Sequence, residues 1–122
     1  MTKKEIEQEM KKYEEVKYTE SQMEEIREGL KSGINVSIYA DPKFNDEQMG
    51  VIRYALENGL NDVEIKKYID PKFDKSQMYE LFLGLEADIN VSTYADPKLS
   101  WKEMDIIRKN LKREKTGIKN LR

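Results

Sequence analysis

Three aspartates recur at equivalent points of the chain, and a recurring carboxylate is the first feature that could carry chemistry. They are Asp41, Asp70 and Asp96, and each is followed directly by proline. A metal site would need these carboxylates to converge on one ion, but neighbouring copies of a helical repeat lie about 8–10 Å apart. An aspartate before proline in a turn caps its own backbone instead. We therefore predict structural turns here, with no metal site and no bound cofactor.

The chain lacks the residue types of the common catalytic centres. Its 122 residues include neither His nor Cys, which excludes imidazole bases, thiol nucleophiles, disulfides and Cys/His zinc sites. The Tyr, Lys and Glu residues show no spacing that pairs a nucleophile with a base, and no glycine-rich phosphate loop occurs. The sequence therefore predicts a protein that is not an enzyme and has no catalytic residues.

Charge is distributed unevenly along the chain. Residues 1–100 hold 14 basic and 21 acidic side chains, whereas residues 101–122 hold 8 basic and 3 acidic. A basic patch is the electrostatic footprint of phosphate binding. The candidate nucleic-acid contacts all lie in this last stretch: Arg108, Lys109, Lys112, Arg113, Lys115 and Lys119. Because a solvated basic terminus is the commoner explanation, nucleic-acid binding is the second functional hypothesis.

An internal repeat supplies the elements that must position these residues. Residues 34–43 read INVSIYADPK and residues 89–98 read INVSTYADPK, so nine of ten positions match. A looser copy ends YIDPK at Lys72, which divides the period of about 55 residues into two unequal halves. Such units are too small to fold singly and gain stability by stacking on each other.

Each half begins with the same helix-start signal. A capping residue is followed three positions later by Gln or Glu and four positions later by Met, and a large apolar residue precedes it. This is a capping box with a hydrophobic staple. The four caps are Thr19, Asn45, Asp74 and Ser100. Apolar residues three and seven positions after each Met predict an amphipathic helix of about three turns. In three of the four copies, a small residue lies six positions after the Met, between these two apolar positions. It predicts close approach by a neighbouring helix.

These patterns predict an all-α fold of tandem helical hairpins, each with a long and a short helix, and an N-terminal capping helix. We expect a single domain over residues 1–122. Its parts are a cap helix at 2–17, repeat units at 18–43, 44–72 and 73–98, a final half unit at 99–113 and a basic tail at 114–122. No apolar run suits a membrane span or a signal peptide, so we expect a cytoplasmic protein without membrane contact.

A resemblance to a known repeat covers about residues 18–111. The pattern YADPKF…QM…I…L…GL, which starts at Tyr39 and ends at Leu60, resembles a repeat of uncharacterised proteins on bacterial mobile elements, especially those of Gram-positive gut anaerobes. The resemblance implies a helical-repeat fold and a bacterial, cytoplasmic setting. It implies no activity.

The helix predicted after Asp74 is apolar on nearly every side, which leaves two interpretations. Either the helix is central and covered on both sides, or Tyr79, Phe82 and Leu83 form an exposed patch that binds a protein partner or a second copy of the chain. We predict a protein–protein interaction module with these three residues as its anchor. The rim would consist of Arg27, Arg53 and Arg108, a composition favoured at binding hot spots. A host or mobile-element protein, which the module would bind or inhibit, is the expected partner.

Overall fold

Helices form all the regular secondary structure of the computed structural model, which describes residues 1–117. The α-helices are α1 (Lys3–Met10), α2 (Glu20–Ser32), α3 (Asp46–Glu57), α4 (Asp62–Tyr68), α5 (Lys75–Glu86) and α6 (Trp101–Thr116). Short 3-10 helices lie at Lys11–Tyr13, Val36–Ile38 and Val91–Thr93. Because residues 1–117 contain no strand, the all-α prediction is confirmed.

Capping boxes begin the long helices, as the sequence predicted. In each box the cap side chain accepts from the backbone N–H three residues later, and the Gln or Glu at that position accepts from the backbone N–H of the cap. Thr2 and Glu5 form the same box at the start of α1. Each cap contributes about 1 kcal/mol, so local chemistry fixes where these helices begin.

The chain divides after Asp62 into two compact units. In the first unit, α1 packs on α2 and α2 packs on α3. In the second unit, α5 packs on α6. Both units place a short 3-10 helix between their two long helices, and equivalent residues, such as Tyr39 and Tyr94, follow the period seen in the sequence.

The core of each unit is built from the apolar residues that recur along the long helices. Ile26, Met49 and Ile52 are fully buried in the first unit, as are Met78 and Leu81 in the second. The last helix, α6, is less covered than the others. Its Met104 is buried, but the apolar residues three and seven positions later, Ile107 and Leu111, are only half-buried.

The Asp-Pro segments form turns, which confirms the structural interpretation of the aspartates. Asp41 Oδ1 accepts from the backbone N–H of Lys43 at 3.0 Å. Asp70 and Asp96 each accept the equivalent bond at 2.9 Å. Two of the three predicted short helices are 3-10 helices of three residues, whereas the middle one has three more residues in its segment and forms α4.

Two helix ends differ from the prediction. The first helix becomes 3-10 after Met10 and ends at Tyr13, instead of continuing through the predicted cap segment. At the other end, α6 continues to Thr116 and stops at Gly117, which adopts a left-handed conformation with φ of 74°. The predicted tail therefore begins as helix, and residues 118–122 lie outside the described residues. None of the helices in residues 1–117 has the length and apolar character needed to cross a membrane.

Candidate functional site

A buried tyrosine in each unit ties the 3-10 segment to the long helix that precedes it. The Tyr39 hydroxyl donates to the backbone carbonyl of Glu25 at 2.6 Å, and the Tyr94 hydroxyl donates to that of Glu80 at 2.8 Å. Both tyrosine rings are fully buried. Each tyrosine therefore links the 3-10 segment to the helix before it by packing and by a hydrogen bond.

A glycine makes room for each tyrosine. A Cβ added at Gly29 would overlap the Tyr39 hydroxyl and come within 2.6 Å of Val36 Cγ1. Gly84 has the same relation to Tyr94. The sequence predicted close approach by a neighbouring helix at these positions. The approaching groups are instead the side chains of the 3-10 segment.

The carboxylate of the same glutamate holds an arginine from the second long helix. Arg53 Nε donates to Glu25 Oε2 at 2.7 Å, and Arg108 Nε donates to Glu80 Oε2 at 2.9 Å. Asp105 also accepts from Arg108 at 2.6 Å. Burial alone would lower the pKa of Arg108, but the bonds to these carboxylates raise it above its ordinary value.

A buried glutamine completes this arrangement, which we call the inner frame. Gln22 Nε2 donates to the carbonyl oxygens of Pro42 and Phe44 at 3.2 and 2.6 Å, and Gln77 makes the equivalent bonds in the second unit. The inner frame consists of Gln22, Glu25, Tyr39 and Arg53 in the first unit, and of Gln77, Glu80, Tyr94 and Arg108 in the second. Within residues 1–117, no buried side-chain N or O atom lacks a hydrogen-bond partner. The polar groups of the frame are therefore used in holding the fold.

Sequence reasoning missed the two frame glutamates. A signal was present, because Glu25 and Glu80 are equivalent in the repeat and each precedes an equivalent arginine by 28 residues. Charged residues on an amphipathic helix are usually solvated, however, and the pattern of one helix does not say which neighbour it meets.

The buried tyrosines make stability sensitive to alkaline pH. Burial raises the pKa of Tyr39 and of Tyr94 well above the ordinary value, while the nearby arginine of each frame acts in the opposite direction. Since an unfolded tyrosine ionises near pH 10, their stabilising contribution is complete below about pH 10. Above that pH each tyrosine should cost about 1.4 kcal/mol of unfolding free energy per pH unit. Urea unfolding from pH 9 to pH 11 would measure this loss.

The variant Tyr94→Phe is the control for that measurement. It should lower stability at neutral pH because it loses one hydrogen bond, yet it should show a shallower alkaline slope than the wild type. Equal slopes in the two proteins would contradict a role for Tyr94 ionisation.

The predicted anchor on α5 is only partly at the surface. Tyr79 is 44% exposed and Leu83 is half-buried, but Phe82 is only 4% exposed. Phe82 is therefore enclosed within the chain and cannot serve as a surface anchor, which corrects the predicted triplet. The covered-helix interpretation holds at Phe82, whereas Tyr79 remains accessible.

The three predicted rim arginines do not form an open rim. Arg27 pairs with Glu7 of α1, Arg53 with Glu25, and Arg108 with Glu80. All three side chains are at least partly buried in these pairs. Their charges are already engaged within their own units, and this corrects the prediction of a partner-facing rim.

The candidate nucleic-acid residues have divergent roles. Lys115 Nζ donates to the carbonyl oxygens of Ala87 and Asp88 at 3.1 and 2.7 Å, so it holds the end of α5. Lys109 pairs with Asp105 at 3.0 Å, and Arg108 belongs to the inner frame. Lys112 and Arg113 are exposed on α6. Lys119 lies outside the described residues.

The described part of the chain shows no group of metal ligands. No cluster of three or more Asp or Glu side chains that could hold a metal ion occurs in residues 1–117. A cleft of about 330 Å³ in the second unit is lined by Tyr68, Ile69, Asp70, Phe73 and Pro97, among others. Its polar lining also includes Lys67 and Ser92, and its Asp70 caps a turn.

Comparison of the chain with protein-family models, with curated proteins and with solved structures finds no match.

The outer surfaces of the long helices differ most between the two units. Exposed apolar side chains occur at Tyr54 on α3, Tyr79 on α5 and Ile106 on α6. At equivalent positions the two units carry the pairs Glu24/Tyr79, Glu28/Leu83, Gly50/Asp105, Val51/Ile106 and Tyr54/Lys109. The two units therefore share the residues of the inner frame and differ in residue type at these positions.

Proposed function

We propose that this chain is a non-enzymatic protein-binding module, built as tandem helical hairpins with an N-terminal capping helix. One observation carries the proposal: the inner frame is identical in the two units, whereas the outer positions differ in charge and polarity. Helical repeat proteins stack similar units and bind partners across the surface that the stack presents. A constant interior with a varied exterior fits that division of roles.

Tyr79 on α5 is the proposed anchor, with Leu83 one turn later beside it. The first unit carries Glu24 and Glu28 at the equivalent positions of α2. A unit of this kind therefore folds without apolar residues at these two positions. An exposed tyrosine offers a rigid apolar ring with a polar end, which is typical of binding hot spots. Its presence is therefore better explained by binding than by folding.

The proposed partner is a host or mobile-element protein in a bacterial cytoplasm, which the module would bind or inhibit. The resemblance of the YADPKF…QM pattern to a repeat of mobile-element proteins supports this choice of partner. A homodimer through the same helix is the alternative complex.

Nucleic-acid binding is the second candidate function, and the exposed side chains of Lys112 and Arg113 favour it. It is the weaker candidate because two of its six residues, Arg108 and Lys115, have contacts that hold the second unit together. Affinity for nucleic acid depends on the number of phosphates neutralised, and few cations are left for that purpose.

Substituting Tyr79→Glu should abolish capture of the partner without harming the fold. The replacement is the residue that the same scaffold carries at position 24, so unfolding free energy should change by less than about 0.5 kcal/mol. Loss of a hot-spot residue should weaken binding by about 30-fold or more. The measurement is affinity purification of the tagged chain from nuclease-treated extract of its own cell, followed by titration of the captured protein.

The matched control is Glu24→Ala, which changes an exposed position on the equivalent helix, and it should bind as the wild type does. Retention of the same partner at unchanged affinity by a folded Tyr79→Glu variant would contradict the assignment. Loss of capture after nuclease treatment alone would favour the nucleic-acid alternative.

A further inference from the structure

One asparagine of the chain is placed for spontaneous loss of its side-chain amide. In this reaction the backbone nitrogen of the following residue attacks the asparagine Cγ, so a side chain on that residue hinders the attack. Asn58 is followed by Gly59, whereas the other six asparagines are followed by Val, Asp or Leu. Both Asn58 and Gly59 are exposed. Sequence and exposure together therefore single out Asn58.

Loss of the amide needs only water and a base from the solvent. The base removes the proton of the Gly59 amide, the nitrogen forms a bond to Asn58 Cγ, and the bond from Cγ to Nδ2 breaks to release ammonia. The product is a five-membered succinimide ring. Water then adds to one of the two ring carbonyl groups and opens the ring. One opening gives aspartate, and the other gives isoaspartate, in which the main chain runs through the former side chain.

The end of α3 holds both reacting groups in hydrogen bonds. The Gly59 N–H donates to the Leu56 carbonyl oxygen at 3.0 Å. Asn58 Nδ2 donates to the Tyr54 carbonyl oxygen at 2.7 Å. The Gly59 nitrogen is free to attack Asn58 Cγ only after these two bonds break. The folded turn therefore slows the reaction, and the rate of conversion measures how often the turn opens.

Opening of this turn does not require unfolding of the whole first unit. Asn58 and Gly59 directly follow Glu57, the last residue of α3, and helix ends open at a free-energy cost far below that of global unfolding. Gly59 has no side chain to pack, and a Cβ built there would meet no neighbouring atom within 4 Å. Few packing contacts are therefore lost when the turn opens.

The products should weaken the end of α3. An aspartate at position 58 has no N–H to donate, so a carboxylate oxygen would replace the amide that now bonds to the Tyr54 carbonyl oxygen. It would also place a negative charge beside Glu57 at the helix C-terminus, where the helix dipole favours cations. Isoaspartate inserts the side-chain carbon into the main chain, which shifts the Gly59 N–H relative to its acceptor on Leu56.

We propose that Asn58 is a modification site of the folded chain, which converts spontaneously to aspartate or isoaspartate when the end of α3 opens. The conversion introduces a negative charge and lowers the stability of the first unit as the protein ages. This inference does not depend on the proposed binding function, because the reacting groups all lie in the first unit and the only other reactants come from the solvent.

Peptide mass spectrometry of the whole chain, sampled during incubation in mildly alkaline buffer, tests the proposal. Asn58 should convert before any other asparagine of residues 1–117, and both the aspartate and the isoaspartate form should appear. A sample unfolded in urea should convert faster, because its turn is always open. Gly50→Ala should leave the native rate unchanged, since it stabilises α3 but lies outside the turn. If conversion required unfolding of the unit, this substitution would slow it by about 2- to 5-fold.

Two variants at the same position test the site and the effect of its product. Asn58→Gln keeps an amide, but its longer side chain would have to close a larger ring, so conversion at this position should be lost. Asn58→Asp reproduces the acid product, and urea unfolding should show a folding equilibrium constant about 2- to 5-fold below that of the wild type.

Three results would overturn the inference. The first is a native chain in which another asparagine of residues 1–117 converts before Asn58. The second is a conversion that Gly50→Ala slows in proportion to the stability it adds, because the reaction would then proceed from the unfolded unit. The third is an Asn58→Asp chain as stable as the wild type, because the modification would then have no effect on the first unit.

Discussion

Replacing Gly84 by Ala should destabilise the second unit by about 3 kcal/mol, which combines overpacking of a dense core with the loss of one buried hydrogen bond. The added methyl would overlap both the Tyr94 hydroxyl and Val91 Cγ1. Tyr94 cannot swing away without giving up its bond to the Glu80 carbonyl. Urea unfolding followed by circular dichroism would measure the change. The equivalent variant Gly29→Ala should have a similar effect in the first unit.

Two controls separate overlap from a general effect of helix substitutions. Gly50→Ala places the same methyl in a helix interior with ordinary contacts, and it should stabilise by about 0.5–1 kcal/mol. Adding Tyr94→Phe to Gly84→Ala removes the nearest overlapping atom, so the double variant should regain part of the lost stability. A Gly84→Ala protein as stable as the wild type would mean that the tyrosine does not need the space.

The beginnings of the helices could be predicted from the sequence because they depend on residues within one turn of each other. The capping residue, its partner three positions later and the following Met form a local pattern, and each long helix begins where that pattern says. The Asp-Pro turns were predictable for the same reason, since the aspartate bonds to a backbone group two residues away. Local chemistry therefore accounts for most of the secondary structure.

Burial on an apolar helix could not be predicted in the same way. Periodicity shows which residues of α5 share a face, but it does not show which faces a neighbour covers. Phe82 and Tyr79 are both large and apolar, yet only Phe82 is enclosed. The sequence left both interpretations open. Phe82 is covered, as the first interpretation predicts, and Tyr79 is accessible, as the second predicts.

The charged residues of the candidate site were misjudged because their partners are distant in sequence. Arg53 and Arg108 were expected to face a binding partner, but each meets a glutamate 28 residues earlier. Lys115 likewise reaches back to the end of α5, from a part of α6 that the sequence predicted as a tail. Ion pairs of this kind have no local signature. Only the agreement between the two repeat copies could have indicated them.

The substitution Arg108→Met should destabilise the second unit by about 3 kcal/mol, because it leaves the Glu80 carboxylate buried without its partner. The side chains of Glu80 and Arg108 are only 7% and 13% exposed. Water therefore can do little to compensate for the lost bond at 2.9 Å. The measurement is urea unfolding at neutral pH.

The equivalent change in the first unit is the matched control. Arg53→Met breaks the same pair, but the side chains of Glu25 and Arg53 are 22% and 25% exposed, so solvent can screen the remaining charge. The cost there should be about 1 kcal/mol. The double variant Glu80→Met with Arg108→Met should recover most of the loss, because replacing both members of a buried pair by apolar residues is often close to neutral. Equal losses of unfolding free energy for the two arginine substitutions would show that burial does not set the strength of this pair. A double variant that recovers no stability would show that the inner frame depends on its charges.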